Sequence, residues 1–321
     1  MPSPRYTVIV PVPRFRLEEP ILASLRENPP SSGAMQVIVA QGKHPARQRN
    51  AALEQAEGEI IVFLDGDCSL TFDFWKELEM ALARPGVEIV GGPALLRPQA
   101  TSTEKIFYAL LTHTLIVGTV SARYSPRGEF CVASQTDLIL CNLATKKSVF
   151  TRIGPLSTRL YPNEENEWLD RAQAAGIDAW YDPQLQVFRP QRDTWAQMGL
   201  MLLRYGIGRT RQFRVSGWRP TFHQILPPMV VFTFFALFHW HLEKMFITLW
   251  LLASAIIAVS CNSQLRWWQR IVAGLAAPLI PLTYTIGQII GWLVLFVPTD
   301  NTIVEVVLFT EKGDRLPSSV A

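Results

Sequence analysis

The sequence predicts an α/β domain on a mostly parallel, doubly wound sheet, followed by membrane-crossing helices. Two patterns carry this. Up to residue 192, short β-branched runs alternate with segments of helical spacing, and three apolar stretches lie beyond residue 220. The chain has 321 residues, 49% hydrophobic and only 18% charged, against the ~25% charged of soluble domains. That balance excludes disorder, collagen-like repeats and a disulfide-stapled scaffold. A net charge of +3 is too small to argue for nucleic acid. Cys68, Cys131, Cys141 and Cys261 show no CxxC spacing, which excludes a zinc ribbon and a thioredoxin-type pair. They read as reduced, mostly buried thiols on the cytosolic side.

From the N-terminus, residues 6–10 form a short buried strand bounded by prolines, and 18–27 has helical spacing through Ile21, Leu22 and Leu25. A second strand is expected at 36–40, then a helix over 46–57 ending at Gly58. Residues 60–64 are an unbroken β-branched and aromatic run, the mark of a strand covered on both faces. A helix over 74–83 and a strand over 88–90, just before Gly91-Gly92, complete the pattern. Sheets of this kind bind ligands beyond the carboxyl ends of their strands, which directs attention to the residues just after Leu64.

The apolar stretches are 225–242, 245–261 and 271–297, the last carrying Pro278 and Pro281 and so open to a kinked or re-entrant path. None shows the polar stripe of a soluble core helix. Arg204, Arg209, Arg211, Arg214 and Arg219 precede the first, and Arg266 and Arg270 precede the third. The positive-inside rule then puts everything before residue 220 in the cytosol. The start of the chain has an apolar run too short for a secretory signal. Which side the tail beyond 299 occupies is left open. The apolar run 106–117, with His113 inside it, reads as a core helix before an interfacial one.

Three segments bear chemistry. Asp65-Gly66-Asp67 comes directly after the buried strand; it is either a common turn or a pair of hard oxygen ligands for Mg²⁺ or Mn²⁺. Asn163-Glu164-Glu165-Asn166-Glu167 opens a helix closed by Gly176. Its carboxylates suit the helix dipole, with Asn163 as cap, or accept a proton from a hydroxyl nucleophile. Arg204-Tyr205-Gly206-Ile207-Gly208-Arg209 is positive-inside charge, or an arginine clamp for a diphosphate with an aromatic face for a sugar.

Taken in this order ahead of membrane spans, these segments resemble a family 2 glycosyltransferase of the GT-A fold, in the membrane-bound branch of the ExoA succinoglycan glucosyltransferases. Arg49-Asn50-Ala51-Ala52 with residues 58–67 is similar to that family's helix, strand and metal motif. Residues 118–124, and Phe150-Thr151-Arg152-Ile153-Gly154 with Glu164–Glu167 and Arg171, are similar to its later blocks. The resemblance implies a Rossmann-like mixed sheet of the nucleotide-diphospho-sugar transferase type over 1–192. After it come a basic interface segment over 193–222, about three membrane helices over 223–298 and a tail over 299–321. It implies an inverting transfer from a nucleotide-diphosphate sugar, with Glu165 as catalytic base. Asp65 and Asp67 would serve as metal ligands, and Pro11, Arg49, Asp65, Gly92, Arg204, Tyr205 and Arg209 would lie on the donor side.

The acceptor implied is membrane-embedded or lipid-linked, such as a polyprenyl-diphosphate saccharide, with export left to a partner. The location implied is the inner membrane, multi-pass, with the catalytic domain cytoplasmic. The chain departs from the family in places. Pro11 is followed by Val12-Pro13-Arg14-Phe15 where Pro-x-x-Asn-Glu is usual, and the second strand ends in Ala40-Gln41-Gly42 without the uracil-holding Asp. Met201 replaces a Gln, and Phe188 and Arg189 stand near the place of a frequent metal-side His. These departures leave the nucleotide open. They also recommend a second class of function, a degenerate transferase domain acting as a sugar-nucleotide sensor or assembly subunit. A nucleotidyltransferase would share the sheet and metal logic but has no need of Glu165.

Overall fold

The computed structural model describes residues 4–31, 34–217, 225, 228–229, 232–233, 236, 239, 243–261, 265–294, 306–310 and 314–316. The apolar stretch 225–242 therefore lies mostly outside the described residues. The chain divides into two compact units. The first comprises Met1–Leu95, Ser125–Arg189 and Pro298–Ala321; the second comprises Leu96–Tyr124 and Pro190–Val297.

The first unit is built on a nine-stranded sheet. Its strands are β1 (Tyr6–Val12), β2 (Met35–Gln41), β3 (Ile60–Leu64), β5 (Ile89–Gly91), β7 (Cys131–Val132), β8 (Asn142–Lys146), β9 (Ala179–Tyr181), β11 (Val307–Thr310) and β12 (Arg315–Leu316). Their spatial order is β12-β11-β2-β1-β3-β8-β5-β9-β7. A small second sheet orders β4 (Ser69–Leu70), β10 (Val187–Arg189) and β6 (Ala94–Leu96) as β4-β10-β6. β1 pairs in parallel with β2 and β3, and β5 in parallel with β9. The sheet is mixed because β8 runs antiparallel between β3 and β5. All five residues of β3 are buried, as its continuous apolar run requires.

Helix α1 (Pro20–Glu27) buries Ile21, Leu22 and Leu25, and α3 (Phe74–Leu82) buries Phe74, Trp75, Leu78 and Ala81, each close to expectation. Helix α2 (Pro45–Glu54) stops short of Gly58. That glycine instead lies against β1, where its N–H donates to Thr7 Oγ1 at 2.8 Å. The cysteines are all free; Cys68, Cys141 and Cys261 are buried, whereas Cys131 is exposed.

The sheet's far edge was not foreseen. β11, from the segment beyond the apolar helices, anneals antiparallel to β2 in the register Val307↔Gln41 through Thr310↔Ile38. Phe309 stacks on Phe15 with ring centroids 4.6 Å apart. This covers most of the edge that β2 would otherwise present.

The second unit is helical. Helix α4 (Ser102–Thr112) begins with a full capping box, Thr101 and Glu104 each satisfying the other's backbone N–H. Its apolar face joins Met198, Leu202, Ile257, Cys261 and Ala273 in one core; the run 106–117, read as one core helix, instead breaks at His113, and its last four residues form a short helix that buries none of them. His113 Nε2 lies 2.8 Å from Ser260 Oγ. The remaining helices of this unit include α5 (Thr114–Val117), α8 (Trp195–Ser216), α9 (Glu243–Ser260), α10 (Trp267–Ala276) and α11 (Leu279–Leu293). Among the described residues one helical stretch, Trp267–Leu293, is long and apolar enough to cross a membrane; the break at Ala277–Pro278 falls inside it. Exposed Ile247, Leu249, Leu251, Leu252, Ile256 and Val259 line α9.

Gly206 in α8 and Gly287 in α11 face each other's helix so closely that a Cβ at either would strike backbone, Tyr284 O and Leu203 O respectively. Gly291 is similarly close to Thr210, whose hydroxyl donates to Gln288 O at 3.1 Å. Small residues spaced by four let two helix backbones approach. Gly206, read from sequence as part of a donor motif, is thus required by helix packing.

Candidate active site

β1 and β3 end side by side, and Asp65-Gly66-Asp67 leaves the sheet there. The segment turns at once: Cys68 N–H donates to Asp65 O at 3.1 Å. Gly66 allows this because a Cβ would come within 2.9 Å of Val12 Cγ1 and 3.0 Å of Glu19 Oε2. Glu19 therefore flanks the two aspartates. Its carboxyl is raised above its ordinary value by burial, partly offset by Arg16, with the Asp67 charge adding to the rise.

Two guanidinium groups organise this edge. Arg49, on α2, is 5% exposed and bridges two acids: Nη2 meets Asp65 Oδ1 at 2.9 Å and Nη1 meets Glu164 Oε1 at 3.3 Å. α2 is held at the sheet by buried Gln48, whose Nε2 donates to Val12 O at 2.8 Å and Ala40 O at 2.5 Å. Arg189, the last residue of β10, reaches the same pair from the other side. Its Nη2 meets Asp65 Oδ2 at 2.9 Å, and its Nε lies 3.2 Å from Asp67 Oδ1 and 3.5 Å from Oδ2. An unbroken chain of ion pairs runs Asp67–Arg189–Asp65–Arg49–Glu164. It joins acidic segments a hundred residues apart in sequence.

Glu164 and Glu165 open helix α7 (Glu164–Ala174), and both are buried. Asn163 precedes them at φ +85°, the one described non-glycine residue in the left-handed region. Asparagine tolerates that conformation better than most residues. It does not cap by its side chain as expected; its Oδ1 accepts from Asn166 Nδ2 at 3.0 Å. The far end closes as read, with Gly176 at φ +73°. Arg171 fixes the helix to helix α6 (Lys147–Ile153) and the turn after it. It grips Glu167 through Nε–Oε1 at 2.7 Å and Nη2–Oε2 at 2.9 Å, and donates to the carbonyls of Ile153 and Pro155. Trp168 Nε1 donates to Gly154 O at 3.1 Å. The block 150–154 with Arg171 thus holds the α7 start in place.

Burial, then the neighbouring Glu165 charge, pushes Glu164 up to about 7 despite the attraction of Arg49. A carboxyl at that value exchanges its proton near neutral pH. It also makes folding pH-dependent. The folded value lies above the ordinary 4.5, so the folded state holds the proton more tightly, and stability falls as pH rises from 4.5 through 7. At 1.36 kcal/mol per pH unit this loss reaches at most about 3 kcal/mol. Glu164→Gln is expected to remove that slope. Unfolding midpoints of the variant and the parent should diverge in the variant's favour as pH climbs from 4.5 to 7.5; parallel curves would refute the assignment.

The other residues singled out from sequence lie in varied settings. Pro11 lies in β1 beside Ala40. Gly92 is dictated by packing, since a Cβ would strike Leu185 O and Asp182 O. Arg204, Tyr205 and Arg209 belong to α8 in the second unit. Arg204 is exposed and Tyr205 half-buried, but Arg209 is 6% exposed and its Nη1 donates to Gln212 Oε1 at 2.8 Å. Sequence reasoning placed Arg189 only near the position of a metal-side His, without a role, and missed Glu19 as part of this edge and Glu164 as distinct from Glu165.

The expected metal ligands do not fit a divalent cation as they stand. All four oxygens of Asp65 and Asp67 face a guanidinium nitrogen. Among the described residues, no group of three His, Cys, Asp or Glu side chains is placed to hold an ion. Mg²⁺ prefers near-octahedral oxygen ligation, and here it would have to displace Arg189.

A mixed sheet with acids at the carboxyl edge of its parallel strands defines the class as an α/β domain of the GT-A kind. Residues 21–130 of the chain match the family described as Glycosyl transferase family 2. The chain is 27% identical over 136 residues to the glycosyltransferase AglE of Haloferax volcanii, covering 42% of this chain. The matched region spans 40% of that curated relative's length. Among solved structures it is similar to the mannosyltransferase PcManGT of Pyrobaculum calidifontis, described in complex with GDP-Man and Mn²⁺. The TM-score is 0.52 at 18% identity, over 86% of this chain and 87% of that one, a likeness of fold. Similarity to S. aureus TarS is lower, with TM-score 0.43 at 12% identity over 66% of this chain and 44% of that one.

Proposed function

We propose that this protein transfers a sugar, with inversion, from a nucleoside-diphosphate donor to a hydroxyl of a lipid-linked or membrane-embedded acceptor. The observation that carries the reading is the ion-pair chain through Arg49 and Arg189, which ties the Asp65–Asp67 turn to the start of α7. The donor's diphosphate sits at the Asp65–Asp67 edge. The acceptor hydroxyl attacks C1 of the sugar and gives its proton to Glu165. The C1–O bond to the diphosphate breaks, and its electron pair leaves with the nucleoside diphosphate. Glu164, held by Arg49, sets the electrostatic surroundings of that base.

Exposed apolar side chains along α9 and the stretch Trp267–Leu293 support a place in the cell membrane. The arginines before residue 220 favour a cytosolic catalytic domain. The ExoA-type branch, with polysaccharide or glycolipid synthesis as its setting and an export partner, fits the motif order.

The test is a panel of UDP- and GDP-sugars on the detergent-solubilised full chain. At least one should raise the melting temperature and be slowly hydrolysed to the nucleoside diphosphate. A panel with neither effect would remove the transferase reading and leave the scaffold class.

A further inference from the structure

Arg189 stands where the sequence led us to expect a cation and its ligands. It engages both aspartates at once, with Nη2 on Asp65 and Nε on Asp67. Arg49 takes the remaining Asp65 oxygen. Every carboxylate oxygen of the two aspartates already meets a guanidinium nitrogen, so the motif leaves no free oxygen to bind a dication. Arg189 still has donors to spare: among the described residues, no acceptor meets its Nη1. Its side chain is 21% exposed.

We propose that Arg189, and not a divalent cation, supplies the positive charge that binds the nucleoside diphosphate and receives its developing negative charge. This rests on the transferase reading above. The planar fork suits phosphate oxygens. Asp65 and Asp67 fix its plane, so their role is to orient the guanidinium. As the C1–O bond breaks, the electron pair settles on the diphosphate oxygen within reach of Nη1. No metal enters the charge balance.

The experiment is calorimetric titration of UDP and of GDP into the detergent-solubilised full chain, in chelator and in Mn²⁺. The dissociation constant of whichever nucleotide binds should agree in the two conditions within about threefold. Arg189→Ala should weaken binding in chelator by about 10- to 100-fold, the loss of a charge-assisted contact, with Arg189→Lys between the two. The comparison of conditions on the parent protein stands even if Arg189→Ala fails to fold. In parallel, Mn²⁺ added to nucleotide-free protein should keep the full resonance signal of the aqueous ion. Binding that needs Mn²⁺, depletion of that signal by the parent protein, or an Arg189→Ala variant that binds normally in chelator would each overturn the proposal. Failure of both nucleotides to bind in either condition would overturn the transferase reading, and this inference with it.

Discussion

Arg49→Ala is expected to destabilise the protein by about 3–5 kcal/mol at pH 8, the usual cost of removing one partner from a buried ion pair. The residue is the shared partner of Asp65 and Glu164, so its loss leaves buried Glu164 without a counter-charge and Asp65 with Arg189 alone. The cost should depend on pH in a particular way. Glu164 sits near 7 even with Arg49 beside it, so at pH 5.5 it carries its proton and needs no counter-charge. There the penalty should shrink by a clear margin, leaving mainly the Asp65 contribution. Denaturant unfolding at the two pH values measures this directly. Equal penalties at both would mean that Arg49 serves Asp65 alone.

Glu165→Gln is expected to reduce turnover by about 10²–10⁴-fold, the ordinary worth of a positioned general base, while leaving donor binding and the melting temperature near those of the parent. The adjacent Glu164→Gln serves as its control. That change keeps an acceptor for Arg49 and removes only a charge, so it should shift the pH profile of turnover more than its height. Single-turnover rates with saturating donor separate the two. If Glu164→Gln proves the more damaging, the proton goes to the residue bound by Arg49, and the two roles exchange.

The sequence was most informative where one local property settled the matter. Five consecutive apolar residues at 60–64 could only be a strand covered on both faces, and an Asp-Gly-Asp at its end could be placed at the ligand edge without knowing anything else. Helix limits near Ile21, Phe74 and Gly176 were legible from spacing and from one left-handed glycine. What could not be read depends on partners far apart in the chain. Arg189 lies 122 positions from Asp67 and Arg49 lies 115 from Glu164, and an ion pair across such a gap leaves no periodic trace. β8 is short, and its reversed direction is set by neighbours on both sides. The glycines at 206 and 208 looked functional because a helix interior usually disfavours them; for Gly206 the missing information was the backbone of α11. Arg209, in the same motif, has its side chain buried beside Gln212, a placement its sequence context does not signal.

The pairing of β11 with β2 has a consequence for how the polypeptide is threaded. A strand hydrogen-bonded to the sheet must lie in the same aqueous compartment as the sheet. If the segment between β2 and β11 crosses a bilayer, it must return to the side it left, so full traverses would come in an even number. Three complete passes, the sum that apolar stretches alone would give, are incompatible with that closure.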